Sequence, residues 1–291
     1  MALNPDLLKN MHPCFALGAK NNKGRIHLPV SPGCNIRCNF CRPEINSTDN
    51  RPGVAREVIT PKEAVSILRK ALEFCPDITV AGVAGPGDTL ATPYALQTFR
   101  LIGKEFPNII KCMSTNGLLL NEYADEVIDT GIDTLTVTVN GVDPHIQAQI
   151  CESIIYKGKR YSGTLAAEIL IANQLAGIKK VSKAGINVKV NTVLIPEINA
   201  DHVVTVAKTV AAHGAKIFNI IPLIPRHKLS RCSAPTCDLL SRTRKEAEEY
   251  ISVFRHCQRC RADAAGIPGG KDISGQLYIR PVTAENTFSH G

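Results

Sequence analysis

Residues 25–41 read RIHLPVSPGCNIRCNFC. The first seven mix apolar and polar side chains around β-branched residues, as a strand does. Pro32 and Gly33 break that pattern, and Cys34, Cys38 and Cys41 follow in a C-x3-C-x2-C arrangement. A strand running into a loop dense with thiols sets soft-metal ligands at the C-terminal edge of a sheet. The number of ligands is awkward. Tetrahedral zinc takes four ligands, usually from paired knuckles. Thiolates also hold four-iron clusters, and three protein ligands would leave one iron open to a substrate or cofactor.

Outward from this stretch, β-branched runs recur at 78–84, 109–115, 134–140, 187–195 and 216–224, with helical periodicity between them. Thr60-Pro61-Lys62-Glu63 is a helix start, with a capping Thr, Pro at the first position and Glu at the third. Long helical patterns cover 164–185 and 201–214, and a last one covers 239–256. Strand-then-helix units imply a parallel sheet with right-handed crossovers. Six units are too few for a standard eight-stranded barrel. The expected fold is α/β, a partial (β/α)6 TIM-like barrel, with a doubly wound sheet as the alternative. The expected organisation is an N-terminal segment over 1–24, the barrel over 25–230, and a C-terminal helix, C-x2-C segment and tail over 231–291.

In either architecture, chemistry belongs at the C-terminal ends of the strands. Gly, Asn, Thr and Pro gather there, in AGPGDTL (84–90), STNG (114–117), VNTVLIP (190–196) and PLIP (222–225). Gly85, Pro86, Gly87 and Asp88 are candidates for close backbone approach to a ligand. Asn116, Asn191 and Thr192 are candidate hydrogen-bonding residues at the same rim.

The composition narrows the partners. A net charge of +8 is spread along 291 residues, there is no Trp, and aromatic content is 5%. No stacking platform for nucleic acid is advertised, and no nucleic-acid partner is expected. The opening MALNPDLLKN lacks an apolar signal core, and no apolar run approaches membrane-spanning length. A cytoplasmic protein without membrane contact is expected. In a reducing compartment, eleven cysteines point to metal or redox chemistry rather than disulfides.

Cys257 and Cys260 form C-x2-C, which alone reads as a redox dithiol or half a metal site. Cys14 and Cys112 are available for a second metal locus, and His12 neighbours Cys14. Cys75 and Cys151 read as small apolar fillers, Cys151 before a polar loop. Cys232 and Cys237 read as non-ligands. His27 reads as an ordinary strand residue.

The C-x3-C-x2-C loop after the first strand resembles the radical SAM superfamily, in which S-adenosylmethionine (SAM) occupies the open iron. HPC (12–14), GRIHLPVSPGCNIRCNFC, RPGV (51–54), AGPGD, STNGLLL, TVTVN, VNTVLIP, NIIPLIP and HCQRCRADA occur in this order. Together they resemble the NifB family, radical SAM maturases of nitrogenase cofactor assembly, over about 12–265, in the short form without a carrier domain. The resemblance implies fusion of two [4Fe-4S] clusters into an [8Fe-9S-C] precursor whose carbide comes from the SAM methyl group. It implies Cys34, Cys38 and Cys41 as ligands of the [4Fe-4S] cluster that binds SAM. By the same resemblance, Cys14, Cys112, Cys257 and Cys260 are the candidate ligands for the precursor clusters, with His12 a further candidate. It also implies partners: iron–sulfur cluster donors, a reductant protein, and a downstream cofactor carrier or scaffold. Two departures stand out. A family cysteine before RPG is replaced by Asn46 or Ser47, and a His pair before GRIHL by Lys20 and Asn21. The acidic residue before RPG persists as Asp49.

Overall fold

The computed structural model describes residues 8, 10–15, 19 and 22–279; Lys20 and Asn21 lie outside them. Strands and helices alternate as β1 (Gly24–His27), α1 (Pro61–Phe74), β2 (Ile78–Val83), α2 (Tyr94–Glu105), β3 (Ile110–Thr115) and α3 (Ala124–Asp129). They continue as β4 (Thr134–Thr138), α4 (Gly163–Lys183), β5 (Asn187–Leu194), α5 (Val203–Ala212), β6 (Ile217–Pro222) and α6 (Cys237–Ala247). The six strands are parallel and lie side by side in sequence order.

Each strand has two faces of different chemistry, because successive side chains point to opposite sides. Ile26, Ala81, Met113, Leu135, Val188 and Phe218 belong to the main core. The alternate positions Arg25, His27, Gly82, Cys112, Thr136, Lys189, Asn191 and Asn219 all line one cavity. A cavity reached from all six strands requires the sheet to curl around it, which is the partial barrel expected. α1 opens as its sequence predicts: Glu63 N–H donates to Thr60 Oγ1 at 3.3 Å, and Thr60 N–H donates to Glu63 Oε2 at 2.8 Å.

Three elements differ from expectation. The helix read over 239–256 ends at Ala247, and Ser252–Val253 adds to the sheet as a short strand parallel to β6. Ile251 and Phe254 are buried. Their burial beside an open strand edge outweighs a local pattern that reads as helix. At the other edge Ala265–Gly266 pairs antiparallel with β1, so the C-terminal segment pairs with both edges of the barrel. The polar loop read after Cys151 is a hairpin, Cys151–Tyr156 and Lys159–Ser162. Lys157 and Gly158 turn it with φ of 51° and 73°, the two positive values a two-residue hairpin turn needs. The hairpin pairs with Ile36–Cys38, inside the thiol loop. Among the described residues, no helix is long and apolar enough to cross a membrane.

The loops after β1 and β2 cross in contact. Ser31 bridges to Pro86, Gly87 N–H donates to Ser31 O at 2.9 Å, and Asp88 N–H donates to Gly33 O at 2.8 Å. A Cβ on Gly87 would lie 2.0 Å from the Gly33 carbonyl oxygen, closer than any side chain tolerates. Gly87→Ala is therefore expected to destabilise the fold by about 3 kcal/mol or more. Thermal melting checks this; a Tm equal to that of the parent protein would refute the close crossing.

Candidate metal and cofactor site

The three thiols of the loop sit over the C-terminal ends of β1, β2 and β3. All three are half-buried and unpaired in disulfides. They are near enough to act on one another electrostatically: Cys34 and Cys38 each feel Cys41, and Cys38 feels Cys34. Burial pushes the Cys41 thiol up to about 11, and burial likewise raises Cys34. The neighbouring Cys151 thiol, then burial, raises Cys38. Thiols of this kind surrender their protons when a soft metal takes their place.

The AGPGD turn builds the wall behind this loop. Asp88 is 4% exposed, and its carboxylate accepts from Asn116 N–H at 2.5 Å, Leu90 N–H at 3.0 Å and Thr115 Oγ1 at 3.0 Å. Burial pushes its pKa up, against the pull of these donors. Asp88 thus ties the end of β2 to the end of β3, a role inside the protein rather than toward a ligand. Asn116, placed by that tie, donates to Asn35 Oδ1 at 2.7 Å and lies 3.7 Å from Cys34 Sγ. Asn191 lines the cavity and accepts from Asn219 Nδ2 at 3.0 Å. Thr192 points the other way, donating to Val139 O at 2.5 Å.

The cavity, about 320 Å³, continues from Cys41 at the mouth toward the N-terminal ends of the strands. Cys14, Cys112, Cys257 and Cys260, scattered over 247 positions of the sequence, all line it. Six cationic residues line it as well, Arg25, Arg42, Arg51, Lys189, Arg226 and Arg259, and among the described lining residues there is no carboxylate. Arg25 donates from Nη2 to Cys260 Sγ at 3.1 Å and from Nη1 to Gly266 O at 2.7 Å. Lys189 is 6% exposed; its Nζ donates to Cys14 O at 2.9 Å and stands 4.5 Å from the Phe15 ring and 5.3 Å from the Phe254 ring. Arg42, Arg51 and Arg226 pair with Glu44 and Asp49 outside the cavity, whereas Arg25 and Lys189, buried and held by carbonyl and thiol partners, await an anion. A thiolate-ligated iron–sulfur cluster is an anion of the right chemistry. Among the described residues no three His, Cys, Asp or Glu converge to hold a single metal ion. A cluster instead spreads its thiolates over separate corners, so the donor set fits clusters better than zinc.

Arg25, Lys189 and His27 were not singled out from the sequence as site residues. The signal was present as a charged residue at the centre of Val188-Lys189-Val190, in a strand buried on its helix-facing side. His27 donates from Nδ1 to Arg261 O at 2.9 Å, and burial, then Arg25, hold its pKa down to about 4. It is a neutral imidazole at the cavity wall. His12 is buried too, and burial, with Lys189 second, lowers its pKa. Its Nδ1 accepts the Cys14 N–H at 3.1 Å and its Nε2 lies 3.3 Å from Thr134 Oγ1. The lone pair of His12 is thus already occupied in holding Cys14.

The stretch where the family cysteine is missing folds away from the cavity. Asn46 Oδ1 accepts from Thr48 N–H at 3.2 Å and Asp49 N–H at 2.9 Å, and Ser47 is exposed. Asp49 binds Arg51 Nε at 3.1 Å and Arg226 Nη1 at 3.3 Å. Arg261, clamped by Asp263 at 2.7 Å, donates to Asn46 O at 2.7 Å and to Asp49 O. Asp49 and Asn46 therefore anchor the loop, and neither lines the cavity. Cys75 is a core residue, Cys237 is exposed, and Cys232 packs in a small satellite cluster.

Comparison with known proteins agrees with this geometry. The family model described as the radical SAM superfamily matches residues 28–210. The chain is 47% identical to FeMo cofactor biosynthesis protein NifB of Methanocaldococcus jannaschii over 283 residues, covering 97% of this chain and 94% of the relative. It is 44% identical to the protein of the same name from Methanocaldococcus infernus over 273 residues, covering 93% and 90%. The crystal structure of Streptococcus suis SuiB superposes with a TM-score of 0.59 at 13% identity, covering 81% of this chain and 50% of that one, a likeness of fold. A thiol loop on the first strand of a partial barrel, a carboxylate-free cavity with four more cysteines beneath it, and these relatives together place the chain in the NifB family of the radical SAM superfamily.

Proposed function

We propose that this chain is a radical SAM enzyme of nitrogenase cofactor biosynthesis, of the methyltransferase and carbide-inserting type. Cys34, Cys38 and Cys41 would hold a [4Fe-4S] cluster, and SAM would bind beside it. Two further [4Fe-4S] clusters are substrates, fused and given a SAM-derived carbide to make the [8Fe-9S-C] precursor. The observation that carries this reading is the convergence of Cys14, Cys112, Cys257 and Cys260 on one cationic cavity whose mouth is Cys41.

When bound, the cluster and SAM supply one-electron cleavage chemistry and a methyl group. The chain's own residues do the rest. Asn116 is held by Asp88 beside Cys34 and orients polar groups at the rim. Asn191 and Asn219 offer amide groups partway down the wall. Arg25 and Lys189 balance the charge of a thiolate-bound substrate, and Val80, Ile221, Leu223 and Phe254 keep water from it. Cluster donors, a reductant protein and an acceptor for the product are its partners, in the cytoplasm.

A second reading, maturation of a different metallocluster, is favoured by one observation. Asn46 and Ser47 occupy the place of the family cysteine and do not line the cavity.

Iron and acid-labile sulfide analysis of anaerobically reconstituted protein separates the two readings. About twelve irons, from three four-iron clusters, are expected; a reproducible value near four would sink the two-precursor reading. With reductant and SAM, the protein is expected to release 5′-deoxyadenosine and S-adenosylhomocysteine, and Cys34→Ala to lose the former by at least about a hundredfold. Retention of 5′-deoxyadenosine in that variant would remove the thiol loop from the chemistry. Arg25→Met and Lys189→Met are expected to lose precursor iron, about tenfold in occupancy at limiting iron, while still cleaving SAM. Unchanged iron in both would show that their charges do not serve the substrate clusters.

A further inference from the structure

Cys151 has no part in the site as described. It begins the first hairpin strand, and in the antiparallel ladder its partner is Cys38. The register explains how. Ile36 opposes Ile154 and Arg37 opposes Ser153, but the ladder then slips, and Cys38 opposes Cys151 rather than Glu152. A regular ladder would set a carboxylate across from Cys38. The irregularity sends Glu152 outward instead, to Lys228 at 2.6 Å and Arg37 at 3.7 Å, and brings a thiol inward. Directly opposed side chains start about 4.5–5.5 Å apart at Cβ, and Cys38 packs against the small apolar cluster that contains Cys151, leaving the Cys151 thiol hydrogen beside it.

The surroundings leave that hydrogen few destinations. Cys151 is 3% exposed and packs with Ile36, Leu118, Ile154, Ala166 and Leu170. Its Sγ donates to Ser153 O, neutral and 3.5 Å away. A Cys38 sulfur bound to iron would be a thiolate with no hydrogen of its own, so Cys151 is the thiol of this pair with one to give. A charged acceptor takes it in preference to a neutral carbonyl, and the apolar surroundings strengthen the bond.

We propose that Cys151 is a positioning residue of the radical site: its thiol donates a hydrogen bond to the cluster-bound Cys38 sulfur and raises the reduction potential of that cluster. One-electron reduction adds negative charge that the ligand sulfurs share, so a donor to one of them favours the reduced form. The inference rests on the reading that Cys38 is a ligand.

The test is a dithionite titration of the full-length, reconstituted protein with SAM present, following the SAM-responsive EPR signal. In Cys151→Ala and the volume-conserving Cys151→Val, the ratio of reduced to oxidised cluster at fixed ambient potential is expected to fall about tenfold, about 59 mV for a one-electron couple. Cys151→Ser keeps a donor and is expected to recover most of the shift. A Cys151→Ala or Cys151→Val protein that titrates like the parent overturns the proposal. So does a Cys151→Ser protein shifted as far as Cys151→Ala. Cys38→Ala tests the underlying reading separately and is expected to abolish the SAM-responsive signal. If the signal survives, the ligand assignment fails and the proposal with it; if it is lost while Cys151→Ala leaves the potential unchanged, the proposal alone fails.

Discussion

Six parallel strands of this length curl but do not meet, which leaves unpaired backbone groups along β1 and β6. Most of this molecule follows from how that gap is spanned. Ser252–Val253 pairs with β6, Ala265–Gly266 pairs with β1, and the chain between them must cross from one edge to the other. The crossing carries Cys257 and Cys260 to the cavity and Arg261 to the loop after Cys41. Barrel closure and construction of the inner thiol site are therefore one event. A change that loosens the crossing would disturb both.

Charge sets the second constraint. Arg25 and Lys189 are buried on the inner face of the barrel, where an unpaired cation is costly. Each is partly satisfied from the thiol-bearing segments, Arg25 by Cys260 Sγ and Gly266 O, Lys189 by Cys14 O and two rings. Carbonyl oxygens and ring faces offset part of the desolvation and leave positive potential in the cavity. The same cations that pin the inner cysteines in place favour an anionic guest among them. Asp88 shows the complementary arrangement at the rim, a buried carboxylate surrounded by donors and so spent on holding Asn116.

Much was legible along the chain. The six strand–helix units, the thiol loop on the first of them and the glycine-rich turn on the second all rest on local signals, namely residue period, caps and turn residues. They emerged where those signals are strong, as in the Thr60–Glu63 capping box. The reading failed where a segment's fate depends on a distant edge. Residues 248–256 look helical alone, yet Ser252–Val253 among them pair as a strand because β6 stands open beside them. Asp49 and Thr192 carry polar groups suited to a ligand, yet their partners include Arg51 and Val139 O, which no linear pattern predicts.

The sequence alone determined the identity of the chemistry: three thiols at C-x3-C-x2-C spacing behind a strand, and enough further cysteines for a second locus. Spacing within one loop is a local property, and thiolate softness belongs to the residue itself. Only the tertiary structure showed that these further cysteines share one cavity and that Arg25 and Lys189 join them there. Cys14, Cys112, Cys257 and Cys260 meet because a curled parallel sheet brings its inner face, the His12–Cys14 stretch and its closing segment to one cavity. Cys151 faces Cys38 because a slipped register put it there. Each of these meetings depends on curvature and strand pairing between distant segments, which exist only once the chain has folded.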